Sequence, residues 1–105
     1  MLPKIKSKIN VPFAPGQFCV IRTYSAGVYL GYIQELAGTE AIVTDCQMLW
    51  QWSGAATLLQ VANDGCESEN LTPPVKKLYL SEVIAIIPIT DKANSKLSKL
   101  KLWKI

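Results

Sequence analysis

The sequence runs to 105 residues, half of them apolar and 18% charged, with a net charge of +3 and no histidine. A chain of this length builds one core rather than two, and its composition is that of a folded domain rather than a disordered tail. Without histidine the commonest general base is gone, as is the usual partner of a serine or cysteine nucleophile, so most hydrolase constellations are excluded.

The charge is unevenly spread. Residues 1–10 hold Lys4, Lys6 and Lys8 with no acid, and residues 92–105 hold Lys92, Lys96, Lys99, Lys101 and Lys104 with none. Between them Arg22, Lys76 and Lys77 face all eight acids, so the ends carry +3 and +5 and the body −5. Basic ends serve either as solvated, solubilising lysines or as electrostatic arms toward nucleic acid or another anionic surface. Cys19, Cys46 and Cys66 stand 27 and 20 residues apart, with no pair at the short spacing of a zinc site, which argues against a metal. An odd thiol count, with no basic-then-apolar leader, leads us to expect reduced thiols in a cytoplasmic protein. No apolar run approaches the roughly 18–20 residues that cross a bilayer; the longest, Val83 to Ile87, stops at Pro88.

In chain order, residues 1–16 carry Pro3, Pro12 and Pro15, which remove backbone donors and hold their neighbours extended. They read as an extended N-terminal arm with an edge strand around Lys4 to Val11. Gln17 to Tyr24 (QFCVIRTY) is β-branched and aromatic and ends in the turn Ser25-Ala26-Gly27, which predicts a first strand. Val28 to Leu36 forms its hairpin partner, with Val28, Leu30 and Tyr32 on one face and Tyr29, Gly31 and Ile33 on the other. Gly31 in mid-strand predicts a bulge or a close backbone approach. After the turn Ala37-Gly38-Thr39, Glu40 to Gln47 is a third strand, completing a meander.

Ser53 is a good N-cap, and Ala55, Leu58, Leu59 and Ala62 recur at helical spacing before Gly65, predicting a helix over 53–64. Residues 66–74 are polar and end in a double proline, hence a loop. Val75 to Ile89 gives one or two strands broken near Ser81-Glu82. Thr90 caps a final basic helix over 90–105 with Ala93, Leu97 and Leu100 on one stripe. The expectation is a single α+β domain over 1–105. It has an extended arm (1–16), a β-rich core (17–89) built as an antiparallel, barrel-prone β-meander with one short central helix, and a C-terminal helix.

No catalytic residue, cofactor or metal is assigned. Asp45 and Asp64 lie in no recognisable motif and read as solvated or capping carboxylates. No Walker loop or dinucleotide fingerprint occurs, because the glycines at 16, 27, 31, 38, 54 and 65 are scattered through turns. The helix start at Ser53 and Gly54 would leave free N–H groups able to hold a phosphate or carboxylate. Trp50 and Trp52, at i and i+2 of an extended segment, point the same way; they either stack on a base or close the core under the helix. Arg22, the only arginine, is either a phosphate clamp or the partner of an acid such as Glu35 or Asp45.

The runs VIRTYSAGVYLGYI and AIVTDCQMLWQWSGAATLLQVANDG, with SEVIAIIPIT and the closing Lys101-Leu102-Trp103-Lys104-Ile105, resemble a family of short tailed-bacteriophage proteins with a Trp-x-Trp-Ser-Gly-Ala-Ala junction. The resemblance implies a viral accessory protein in the host bacterial cytoplasm. Small phage proteins of this type include sponges that sequester cyclic or ADP-ribose-type nucleotide signals of bacterial immunity, as compact homo-oligomers with pockets between subunits. In this sequence such a pocket would draw on Arg22, Tyr24, Ser25, Trp50, Trp52, Ser53 and Gly54, with a small nucleotide-type ligand as partner and no membrane. The alternative is a nucleic-acid- or host-protein-binding accessory factor that works through the basic termini.

Overall fold

The computed structural model describes residues 16–105, so the expected arm and its edge strand, Gly16 apart, lie outside the described residues. Within them the order is β1 (Phe18–Thr23), β2 (Val28–Ala37), β3 (Glu40–Met48), α1 (Leu58–Asp64), β4 (Val75–Leu80), β5 (Val83–Pro88) and α2 (Asp91–Leu97). The strands form one five-stranded sheet in the order β4-β3-β2-β1-β5, each neighbouring pair antiparallel. The class is α+β, as the periodicity predicts, and the first three strands are the expected meander. The sheet stays open, with β4 and β5 at its two edges and no pairing between them, so it is not closed into a barrel.

Those two edges are nevertheless joined by only Ser81 and Glu82. The link is pinned at both sides: Val83 N–H donates to Thr39 O and Tyr24 N–H to Glu82 O, both at 2.9 Å, while the Thr39 hydroxyl donates to Ser81 O at 3.2 Å. The sheet therefore curls, and its two faces bury different things. One face gathers Cys19, Ile21, Ile33, Val43, Leu80 and Val83, residues drawn from all five strands with no helix covering them. The other packs Val20, Leu30 and Leu49 against Val61 and Ala62 of α1 and Ala93 and Leu97 of α2. β1 contributes to both clusters, which is why Cys19, Val20 and Ile21 are all fully buried.

Curling needs irregularity, and the β2–β3 pair supplies it. Leu30 faces Gln47 but Tyr32 faces Thr44, so Asp45 and Cys46 oppose the single residue Gly31 in a β-bulge. Asp45 takes φ 48° there, a left-handed conformation that aspartate adopts more readily than most side chains. Gly31 meets both halves of its expectation. A Cβ on it would sit 2.4 Å from Val43 Cγ1, 3.2 Å from Thr44 O and 3.3 Å from Cys46 Cα.

The helices are shorter than their sequence patterns. α1 begins at Leu58, with Thr57 as the N-cap whose hydroxyl accepts from Gln60 N–H at 3.3 Å. The segment 53–57 is lost to the helix because Ser53 is already paired: its N–H donates to Glu67 O and its O accepts from Glu67 N–H, at 2.9 and 2.8 Å. Gly54 then turns with φ 78°. α2 starts at its expected cap, Thr90, which accepts from Ala93 N–H at 3.1 Å and donates to Asn63 O at 2.7 Å, tying the two helices together. It ends at Leu97 rather than running to 105. Beyond it, the backbone finds a partner in Leu71, which bridges Leu102 and whose carbonyl takes the Trp103 N–H at 2.8 Å.

Replacing Gly31 by alanine forces a methyl into Val43, a buried β-branched neighbour with no room to retreat. Overpacking of this kind costs about 1–3 kcal/mol. A urea or thermal melt of Gly31→Ala should show that loss, and an unchanged midpoint would refute the close approach.

Candidate functional site

The β1–β2 turn is stiffened from within. Thr23, buried to 4% exposure, donates through both N–H and hydroxyl to Gly27 O, at 3.1 and 2.8 Å, and its Oγ1 accepts from Ala26 N–H at 2.9 Å. The Tyr29 hydroxyl donates to Ala26 O at 2.9 Å. With its backbone so held, the turn presents Tyr24 to solvent at 79% exposure, and Ser25 donates its hydroxyl to the Glu82 carboxylate. Arg22, opposite Val28 in the ladder, is exposed too. Neither Glu35 nor Asp45 pairs with it; among the described residues the ion pairs are Lys92–Asp64 and Lys96–Glu67.

Trp50 reaches this same end of the sheet. Leu49 N–H donates to Val28 O and Trp50 N–H to Asn70 O, at 2.9 and 3.0 Å, which sets Trp50 beside the turn. It is 55% exposed and lines a depression of about 300 Å³ together with Gly27, Val28 and Met48. Gly27, one of the lining residues, sits at φ 106°, a left-handed conformation that glycine adopts without a steric cost.

The remaining expected residues do not join this group. Trp52 packs against the helix-side core and donates its indole N–H to Ala55 O at 3.3 Å, so it closes the core while Trp50 does not. The two tryptophans line different depressions: Trp52, Ser53, Gln51 and Ser68 surround a separate one of about 350 Å³ with Glu67 and Glu69. The anion cradle expected at Ser53 and Gly54 is not formed. Ser53 N–H is spent on Glu67 O, Ala56 N–H on Gln60 Oε1 at 2.8 Å, and two glutamates line the space. An anion would meet carboxylates there, not free donors.

Sequence reasoning missed Glu82. It lies 57 residues from the serine it binds, and no local pattern links the two; the pairing of β1 with β5, which sets Thr23 opposite Val83, does.

The thiols are poor nucleophiles. All three are free and buried. Burial pushes Cys19 up from 9.0 to about 11 and Cys46 from 9.0 to about 12. It also raises Cys66, against a smaller opposing pull from Lys96. A protonated, enclosed thiol neither attacks nor ligates.

Residues 16–97 match the family described as domain of unknown function DUF6948. The chain belongs to this family. The DUF6948 match takes in every strand and both helices of the described residues and ends with the last residue of α2. The turn, Arg22 and Trp50 thus lie within the family's domain, and the tail from Ser98 lies beyond it. Comparison with curated proteins and with solved structures finds no match.

Two outcomes follow from this geometry. Thr57→Ala should destabilise the DUF6948 domain by about 1 kcal/mol, the usual worth of an N-cap, whereas Ser53→Ala should leave stability within a few tenths; a reversed order in denaturant melts would restore the longer helix. A thiol reagent at pH 8 should leave all three cysteines unmodified in the native chain and modify all three in denaturant. Because the unfolded thiols ionise near 9.0 and the folded Cys19 and Cys46 only near 11 and 12, their contribution to stability is complete below pH 9. It is lost as the pH climbs from 9 toward 12. Cys46→Ala should flatten that alkaline decline.

Proposed function

We propose that the chain is a binding module that holds a nucleotide-derived ligand without turning it over, at the end of the sheet formed by Arg22, Tyr24, Ser25 and Trp50. The observation that carries this reading is Trp50, more than half exposed and lining a depression with Gly27 and Val28, at the end of the sheet where the turn exposes Tyr24 and Arg22 of β1 stands opposite Val28. Tryptophan, tyrosine and arginine are the residues over-represented where binding energy concentrates. An indole face accepts any base by stacking, at ~1–3 kcal/mol per base. A guanidinium takes a phosphate in two parallel hydrogen bonds, and the Ser25–Glu82 pair can accept sugar hydroxyls.

A depression of about 300 Å³ lies at the lower end of ligand sites, which enclose most of their ligand's surface. The reading therefore includes a homo-oligomer in which a second copy closes over Trp50. It also includes the ligand class that the phage resemblance implies, a cyclic oligonucleotide or ADP-ribose-type immune signal held in the host cytoplasm. Among the described residues no helix is long and apolar enough to cross a membrane.

A second reading has its own observation. Trp103, 47% exposed, lies with Lys101, Lys104 and Glu69 around a groove of about 450 Å³. Stacking beside lysines suits single-stranded nucleic acid, the class expected of basic termini. Lys92 and Lys96 have less to offer it, since each already meets an acid, at 3.3 and 3.4 Å.

Thermal shift with a panel of cyclic dinucleotides and ADP-ribose derivatives distinguishes the two. Under the first reading one of them raises Tm, is recovered intact after denaturation, and loses at least tenfold in affinity with Trp50→Ala or Arg22→Ala. Under the second, a single-stranded oligonucleotide binds with affinity that falls steeply with salt, and Trp103→Ala removes it. Substitutions suit this test better than deletion of residues 92–105, because Ala93 and Leu97 belong to the core. Repeated turnover of a nucleotide would end both readings.

A further inference from the structure

A second cavity, independent of the Trp50 end, opens between the helix-side face of the sheet and α2. Its volume is about 430 Å³, within the ~300–1,000 Å³ range of small-molecule sites. The sheet side is aromatic. Phe18 of β1 faces Tyr32 of β2 across the ladder, their ring centroids 4.9 Å apart at 39°. Leu30, Leu71 and Leu97 are further apolar lining. Four polar side chains also line it: Asp45 from the β3 bulge, Gln47 further along β3, Asn94 of α2 and Ser98 at its C-cap; Asp45, Asn94 and Ser98 are exposed at its rim.

The bulge brings Asp45 to this cavity. Cys46 turns into the opposite core, and Asp45, at φ 48°, joins the residues lining the helix side. Among the described residues, neither the Asp45 carboxylate nor the Asn94 amide makes a side-chain hydrogen bond, whereas Gln47 and Ser98 spend theirs on Thr72 O and Ser95 O. Among the described residues Asp45 is the one charged group lining the cavity, so a phosphate or carboxylate ligand is disfavoured. A donor or a cation is favoured, and the aromatic pair beside it attracts a cation through the negative faces of its rings.

We propose that this cavity is a binding site for a small organic amine with an aromatic or branched apolar body. The body lies against Phe18, Tyr32 and Leu30, and the ammonium group hydrogen-bonds Asp45 with Asn94 beside it. The site rests on different residues from the nucleotide reading and stands or falls apart from it.

The probes are 2-phenylethylamine, 2-phenylethanol and phenylacetate, one ring with three head groups, titrated into the ¹⁵N-labelled full chain. The amine should shift the amides of Tyr32, Asp45, Asn94 and Ser98 in a saturable way. It should bind at least tenfold more tightly than the alcohol, and phenylacetate should not bind. Asp45→Asn keeps a residue that tolerates the left-handed backbone, so the ¹⁵N spectrum should stay native while amine affinity falls at least tenfold; Trp50→Ala should leave that affinity unchanged. Three results would each overturn the proposal: equal affinity for amine and alcohol, shifts confined to other residues, or undiminished binding by Asp45→Asn. No saturable shift with the amine at millimolar concentration would do the same.

Discussion

Two residues cannot span a flat sheet. Five strands spaced ~4.8 Å apart put their edges ~19 Å from one another, yet three extended steps from Leu80 to Val83 reach only about 11 Å. The Ser81–Glu82 link therefore obliges the sheet to curl until β4 and β5 come within reach at one end, and hydrogen bonds to Thr39 and Tyr24 hold it there. Much else follows. The face with no helix over it closes on itself and fills with small and β-branched side chains such as Cys19, Ala41 and Val43. The face on the other side opens and receives both helices.

The curl also decides where ligands have room. The self-closed core is tightly packed at Gly31, where even a methyl meets Val43. Two of the spaces left among the described residues are the depression beside the β1–β2 turn, where Trp50 lies against Gly27, and the cavity between the sheet and α2, which Asp45 of the bulge helps to line. The first combines an exposed indole with a nearby arginine; the second combines an aromatic pair with a lone carboxylate. Their opposite charge suits opposite ligands.

The candidate site was half legible in the residues. The sequence left Trp50 and Trp52 open between a stacking surface and the core, the latter on the general burial of tryptophan; the structure puts Trp52 against the core and leaves Trp50 exposed. Which of them would serve the core could not be read, because it depends on residues 49–53 pairing with 67–71, a match between two loops that no periodicity announces. The same pairing removed Ser53 from the helix and consumed the donors that a helix start there would have freed. A capping residue is a local signal, and a bridge formed across 14 residues outcompetes it. Arg22 stood open between phosphate and acid; the fold leaves Glu35 and Asp45 out of its reach.

By itself the sequence determined the first three strands and their turns, one or two further strands over residues 75–89 with a break near Ser81-Glu82, the Thr90 cap, and a bulge or close approach at Gly31. Each is a local matter of alternation, β-branching and turn chemistry, settled within a few residues of chain. Only the tertiary structure decided that β4 and β5 lie at opposite edges. Only it decided that the last helix yields at Leu97 to a tail paired with Leu71, and that Glu82 meets Ser25. Those outcomes turn on which distant backbone groups can satisfy one another once the sheet has curled, and local propensity carries no record of that competition.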